Sequence, residues 1–223
     1  MKTLYTLILS VVLITTISCN SINPDPIKGA KQLNEDLTEL ANSNDLQGLH
    51  TKLSEYWNAY PEELHSSLFR SLQWELLSNN SVVRMMADSD FNKYPMCGKY
   101  LQMIQEFAFA DAMSALGNMS YATHEEKNNL NLGPAEKGIL LASLLADYSK
   151  TNDKDSAYDV IETAYNKLKT QTELYKIIFF SSFIKFVKHS GQPGIQAFEL
   201  MQELKSPTYT EFQRLALENI LEY

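Results

Sequence analysis

Apolar residues recur at helical spacing along most of the chain after residue 26. Leucines and aromatic residues return every three or four positions, and polar residues stand between them. This spacing places the apolar side chains on one face of a helix. For the first helices the predicted inward positions are Leu33, Leu37, Leu40, Leu46, Leu49, Leu53, Tyr56, Trp57 and Tyr60.

Pro61 indicates the start of a further helix, because proline suits the first helical turn and Glu62 and Glu63 follow it there. The predicted buried face comprises Leu64, Leu68, Leu72 and Leu76, with Trp74 at one flank. Another long helix is predicted over residues 96–116, with Tyr100, Ile104, Phe107 and Ala108 on one side.

The C-terminal part predicts more helices. Pro134 begins one, and Asp155 or a neighbouring residue caps the next. Residues 174–187 are apolar nearly all round but too short and too polar to span a bilayer, which predicts a central helix with neighbours on most sides. Gly191-Gln192-Pro193 then precedes two amphipathic helices. For the helices that begin at Pro134 and near Asp155, the predicted inward positions are Ile139, Leu140, Leu144, Leu145, Tyr148, Tyr158, Ile161, Ala164, Tyr165 and Leu168.

The pattern predicts an all-α fold, since no segment alternates as a strand does. Helix starts near residues 134, 155, 173 and 193 are spaced by about 20 residues. That spacing suits an irregular multi-helix bundle or a short α-solenoid-like stack of helical hairpins. The predicted helical domain is 27–223, with a subdivision near 117–133, where the chain is polar before Gly133-Pro134.

The first residues have the composition of an export signal. Lys2 precedes an apolar stretch from Leu4 to Ile17 that lies at the extreme N-terminus. The end of this stretch, Thr16-Ile17-Ser18-Cys19, resembles the lipobox of bacterial lipoproteins, in which the cysteine is acylated and becomes the first mature residue. The resemblance implies a signal peptide over 1–18, lipid such as palmitate on Cys19, and a lipidated tether over 19–26.

Lipoprotein sorting depends on the residue that follows the acylated cysteine. Here it is Asn20 rather than aspartate, which by the same resemblance favours the outer membrane, facing the periplasm.

The net charge narrows the class of partner. It is −8 for the whole chain, so nucleic acid is a poor partner, and a basic protein would suit better.

The leading hypothesis is a non-enzymatic lipoprotein that binds another protein through a helical surface, such as a toxin-immunity protein or an envelope-complex component. The alternatives are a structural spacer within an envelope complex, or a small envelope enzyme or a module that binds glycan or peptide.

Two acidic features are candidates for a calcium site and for a catalytic acid. Asp88-Ser89-Asp90-Phe91-Asn92 resembles the first half of a calcium loop, but Lys93 and Lys99 occupy the positions that need glycine and glutamate. Asp111 lies in an apolar run, where a buried carboxylate could act as a general acid, yet no acid or histidine lies three or four residues before or after it. The favoured interpretation is an acid at the edge of a helix face, or one bonded to a neighbouring helix. No catalytic residue is assigned.

The four histidines lack zinc-site spacing, so no metal or cofactor is expected. Cys97 is expected to be a buried thiol.

Two further features are hypotheses about contacts and modification. The aromatic residues Tyr56, Trp57, Tyr60 and Trp74 would line a groove for a ligand or partner, although aromatics at helical spacing are more often core. Asp155-Ser156-Ala157 resembles the acceptor for O-glycosylation in exported proteins of some Gram-negative anaerobes, which would modify Ser156; the same residues suit a helix N-terminus.

Overall fold

The fold is built of α-helices wherever the structure describes the chain. The structure is a computed structural model, and it describes residues 21–119, 122–123 and 131–204. These ranges contain nine helices and no strand, which confirms the all-α prediction. The helices are α1 (Pro26–Asn42), α2 (Leu46–Ala59), α3 (Glu62–Leu76), α4 (Asn80–Ala87), α5 (Pro95–Asn118), α6 (Pro134–Thr151), α7 (Lys154–Leu168), α8 (Glu173–His189) and α9 (Gln192–Glu203).

Short polar side chains begin four of these helices by accepting a hydrogen bond from a backbone N–H of the first turn. Asp25 caps α1, Asp45 caps α2, Asp153 caps α7 and Thr172 caps α8. The α7 cap is therefore a neighbour of Asp155. Asp155 itself lies in the first turn, where its negative charge interacts favourably with the positive end of the helix dipole.

Helices α1–α5 surround the first hydrophobic core. Most predicted inward positions are fully buried there, including Leu33, Leu53, Leu72 and Ile104. Helix α4 was not predicted, because its eight residues are too few to show a helical period; it contributes Val82, Val83 and Met86. The Cys97 thiol is buried in this core, as expected, and burial raises its pKa.

The second core is formed by α6–α9, with α8 at its centre. Ten residues of α8 are buried, which confirms the prediction of a helix with neighbours on most sides. The prediction that Tyr158 points inward is wrong, because this side chain is 45% exposed. Helix α7 buries only Ala157, Ile161 and Leu168, and Tyr158 lies about 100° around the helix from Ala157.

Helices α6 and α8 belong to both cores. Ile139 and Ile177 pack with α1–α5, whereas Leu145 and Phe183 pack with α7 and α9. The two helices approach closely at Gly138, where an added Cβ would lie 2.2 Å from the Phe179 carbonyl oxygen. The predicted subdivision near 117–133 stays a prediction, and residues 120, 121 and 124–130 lie outside the described ranges.

The described part of the tether is attached to the helical body. Residues 21–25 are not helical, but the Tyr60 hydroxyl donates a hydrogen bond to the Asn23 carbonyl oxygen. Gln32 Oε1 accepts another from the Asn23 N–H at 3.1 Å, and Ile22 packs against the first core. The signal peptide, Cys19 and the last predicted helix lie outside the described ranges. Among the helices of those ranges, none is long and apolar enough to cross a bilayer.

Candidate functional site

A groove runs between α6, α7 and α8. It has a volume of about 450 Å³ and is open to solvent along one side. Volumes of this size are typical of sites that bind a small molecule or a short segment of polypeptide.

The groove exists because two short side chains of α7 leave space between the three helices, and its floor is apolar. Gly138 holds the backbones of α6 and α8 together, while α7 faces them with Val160 and Ala164. These small groups do not fill the volume between the three helices. The apolar lining consists of Leu140, Leu141, Leu144, Val160, Ala164, Leu168 and Phe179.

Charged and polar groups form the rim. At one end Lys137 Nζ donates a hydrogen bond to the Tyr175 hydroxyl at 3.2 Å, and Lys167 and Gln171 stand across from them on α7 and its C-terminal turn. Asp159 lies on the rim nearer the start of α7. Within the described residues no ion pair involves Lys137, Lys167 or Asp159, so their charges face the groove without a protein counter-ion there.

The predicted aromatic site is divided by the structure. Tyr56 and Tyr60 are buried, and the Tyr56 hydroxyl donates to Asp36 at 3.2 Å. Trp57 is half-buried against Phe69 and Tyr100. Burial is the main cause that raises the pKa of Tyr56 and Tyr60. These three residues are mainly a structural cluster at the α2 C-terminus rather than the wall of a groove.

The fourth aromatic residue, Trp74, stands apart from that cluster. It is 70% exposed on the outer face of α3, and no ring contact in the described residues includes it. Trp57 instead has Lys99 Nζ over its ring at 3.4 Å from the centroid. Helical spacing does separate the two tryptophans, because Trp74 lies two residues from both Leu72 and Leu76, which is about 200° around the helix from each.

His65 completes the cluster at the end of α2. Its Nε2 lies 3.1 Å from the Tyr60 carbonyl oxygen and 3.2 Å from that of Trp57. Carbonyl oxygens only accept, so Nε2 carries a proton and caps the last turn of α2. The ring also packs on Trp57, with the centroids 4.2 Å apart.

Asp111 is an exposed partner in an ion pair. Arg70 Nε and Nη2 each donate to one carboxylate oxygen at 2.8 Å, and the guanidinium also lies over the Phe107 ring. The bond to Asp111 raises the pKa of Arg70. Asp111 is therefore not a buried general acid but an acid bonded to a neighbouring helix, as the favoured interpretation of the sequence has it.

The remaining sequence features lie in turns and helix ends. Asp88 ends α4, and Asp90 accepts from the Asn92 N–H at 3.0 Å, which is an Asx turn. No group of three or more His, Cys, Asp or Glu residues in the described ranges could hold a metal ion. Ser156 is half-buried in the first turn of α7, where its N–H donates to Asp153 at 3.1 Å.

The groove was missed at the sequence level because three helices contribute to it. Lys137, Asp159 and Lys167 individually resemble solvated charges on amphipathic helices. One signal was present: the run Ile139-Leu140-Leu141-Ala142 is apolar over a wider arc than one helix neighbour covers.

Comparisons with known proteins do not place the chain. No protein-family profile, no curated protein and no solved structure matches it.

Proposed function

We propose that the protein is a lipid-anchored binding module of the bacterial cell envelope, which binds an apolar peptide, either free or part of a longer chain, in the groove between α6, α7 and α8. The groove is the observation that carries this proposal. Its apolar floor lies open beside a polar rim, an arrangement that typical ligand sites share. The lipid anchor on Cys19 and the outer-membrane location come from the sequence alone.

The attachment of the tether supports a body held close to the membrane. Asn23 is bound to Tyr60 and Gln32, so four peptide links separate the fixed chain from Cys19. An extended chain of that length spans about 14 Å at most. With lipid on Cys19, the end of the bundle that contains Tyr60 would lie near the lipid headgroups.

The anchor is tested by metabolic labelling in cells of the native host. Radiolabelled palmitate is expected to enter the wild-type protein and not the Cys19→Ala variant, while both are exported. Equal labelling of the two proteins would refute the anchor at this cysteine.

The binding function is tested by photo-crosslinking in the same cells. A photoreactive phenylalanine analogue replaces Leu144 on the groove floor, and a control variant carries it at Asp147, one turn further along α6 and exposed. Discrete adducts of a peptide or polypeptide, identified by mass spectrometry, are expected from position 144 and not from position 147. The same adducts from both positions, or none from position 144, would contradict the proposal.

A further inference from the structure

The groove between α6, α7 and α8 has opposite charges at its two ends. Lys137 lies in the first turn of α6, Lys167 in the last turn of α7, and Tyr175 in the first turn of α8. These three side chains therefore share one end. Asp159 precedes Lys167 by eight residues on α7, which places it about 12 Å further along the helix axis.

The groove between these ends offers mainly apolar surface. Leu140, Leu141 and Leu144 of α6 face Val160 and Ala164 of α7 across the floor. A ligand that fills it would bring apolar groups to the middle, an anion to Lys137 and Lys167, and a cation to Asp159.

We infer that the groove takes a short apolar peptide with free termini. Its α-carboxylate would bind at Lys137 and Lys167, its α-ammonium at Asp159, and its side chains on the leucine floor. Both termini of such a peptide are charged near neutral pH. An extended chain spans about 3.3–3.6 Å per residue, so the offset of about 12 Å between Lys167 and Asp159 along α7 corresponds to about three or four residues.

The charges distinguish this occupant from two others. A fatty acid would pair with the lysines but leave the Asp159 carboxylate without a counter-ion. An internal segment of a folded partner has no terminal charges and would use only the floor. The inference rests on the proposed binding function and narrows it to peptides with both termini free.

The test compares three forms of one probe, the tripeptide Leu-Ala-Leu, by titration calorimetry on the full protein purified from membranes in detergent. We expect the free peptide to bind, and N-acetylation and C-amidation each to weaken binding about tenfold or more, since each removes a charge-assisted hydrogen bond. Octanoate is titrated in parallel as the probe for a lipid ligand.

Variants assign each terminus to its end of the groove. With Lys137→Gln and Lys167→Gln combined, amidation of the peptide should no longer matter, while acetylation still weakens binding. With Asp159→Asn the reverse is expected. The matched controls are Lys169→Gln and Asp155→Asn, which change like charges in or beside α7 outside the groove lining and should bind all three forms as the wild type does.

Three results would overturn the inference. Equal binding of the free and blocked peptides would show that the groove recognises apolar side chains and not the peptide termini. Tight octanoate binding that Asp159→Asn leaves unchanged, with no peptide binding, would assign the groove to lipid. If no tripeptide form binds but position 144 still crosslinks to protein, the binding function stands and the inference fails; if neither is seen, both fail.

Discussion

At Gly138 the backbones of α6 and α8 come so close that no side chain fits between them. A Cβ at this position would lie 2.2 Å from the Phe179 carbonyl oxygen and 3.2 Å from the Phe183 nitrogen. Both are backbone atoms of a buried helix, which cannot rotate away as a flexible side chain can. The hydrogen atom of glycine is therefore required where the two cores join.

We predict that Gly138→Ala lowers the free energy of unfolding by about 1–3 kcal/mol, the usual range for overpacking a core. Equilibrium denaturation measures this change. Gly117→Ala is the matched control: it lies in the last turn of α5, and apart from its chain neighbours and the adjoining backbone of α5 no atom of the described residues lies within 4 Å of the added Cβ. It should be neutral or stabilising by up to about 1 kcal/mol. Equal stability of the Gly138 variant and the wild type would rule out the close approach.

Buried tyrosines make the folded state sensitive to alkali. Burial raises the pKa of Tyr56 and Tyr100 well above their usual value of 10.0. Tyr56 also donates to Asp36, and Tyr100 donates to the Leu53 carbonyl oxygen at 2.9 Å. Both arrangements favour the neutral phenol, so the folded protein keeps protons that the unfolded chain releases.

The sign of the pH dependence follows from this difference in bound protons. Stability contributed by these phenols is complete below pH 10 and is lost as the pH rises above it, because only the unfolded state ionises there. We predict that the denaturation midpoint falls steadily above pH 10, and that Tyr100→Phe makes this fall less steep. Phenolate absorbance provides the check. Complete ionisation of every tyrosine near pH 10, with the helical circular dichroism unchanged, would contradict the prediction.

The individual helices differ in how firmly they are held. Helix α8 buries ten of its residues, whereas α7 buries only Ala157, Ile161 and Leu168 and lies beside the open groove. Local opening costs less free energy where fewer apolar contacts are lost. We predict that α7 amides exchange with deuterium faster than α8 amides, as measured by mass spectrometry. Peptide bound in the groove should slow exchange in the residues around Val160. Faster exchange in α8 than in α7 would be incompatible with the packing described here.

Helices were predictable where their apolar residues were periodic or dense enough to show in the sequence. The long amphipathic helices and the central α8 follow from apolar period and density, since burial of those side chains is what forms the helices. Helix α4 is too short to show a period, and Tyr158 is apolar enough to suggest burial that α7 does not provide. The groove depends on a gap between three helices and on the reach of Lys137 and Lys167, which spacing along the chain does not specify.

At the scale of the whole molecule, the shared helices couple the two cores. Ile177 of α8 packs in the first core and Phe183, six residues later, packs in the second. Arg84 of α4 also lies 3.4 Å from the Glu173 carboxylate at the start of α8. Loss of either core would expose one apolar face of α8 to water. The remaining core would have to offset the free energy of that exposure.

We therefore predict a single unfolding transition, which the intrinsic fluorescence of the two tryptophans can follow. Both tryptophans, Trp57 and Trp74, lie in α2 and α3, so their fluorescence follows the first half while circular dichroism follows all helices. Phe183→Ala removes a ring from the second core and should cost about 3–5 kcal/mol. In one cooperative unit the tryptophan midpoint falls together with the dichroism midpoint, as it should for Leu72→Ala in the first core. If Phe183→Ala leaves the tryptophan transition in place, the halves unfold separately, and the chain divides as the polar stretch near residues 117–133 first indicated.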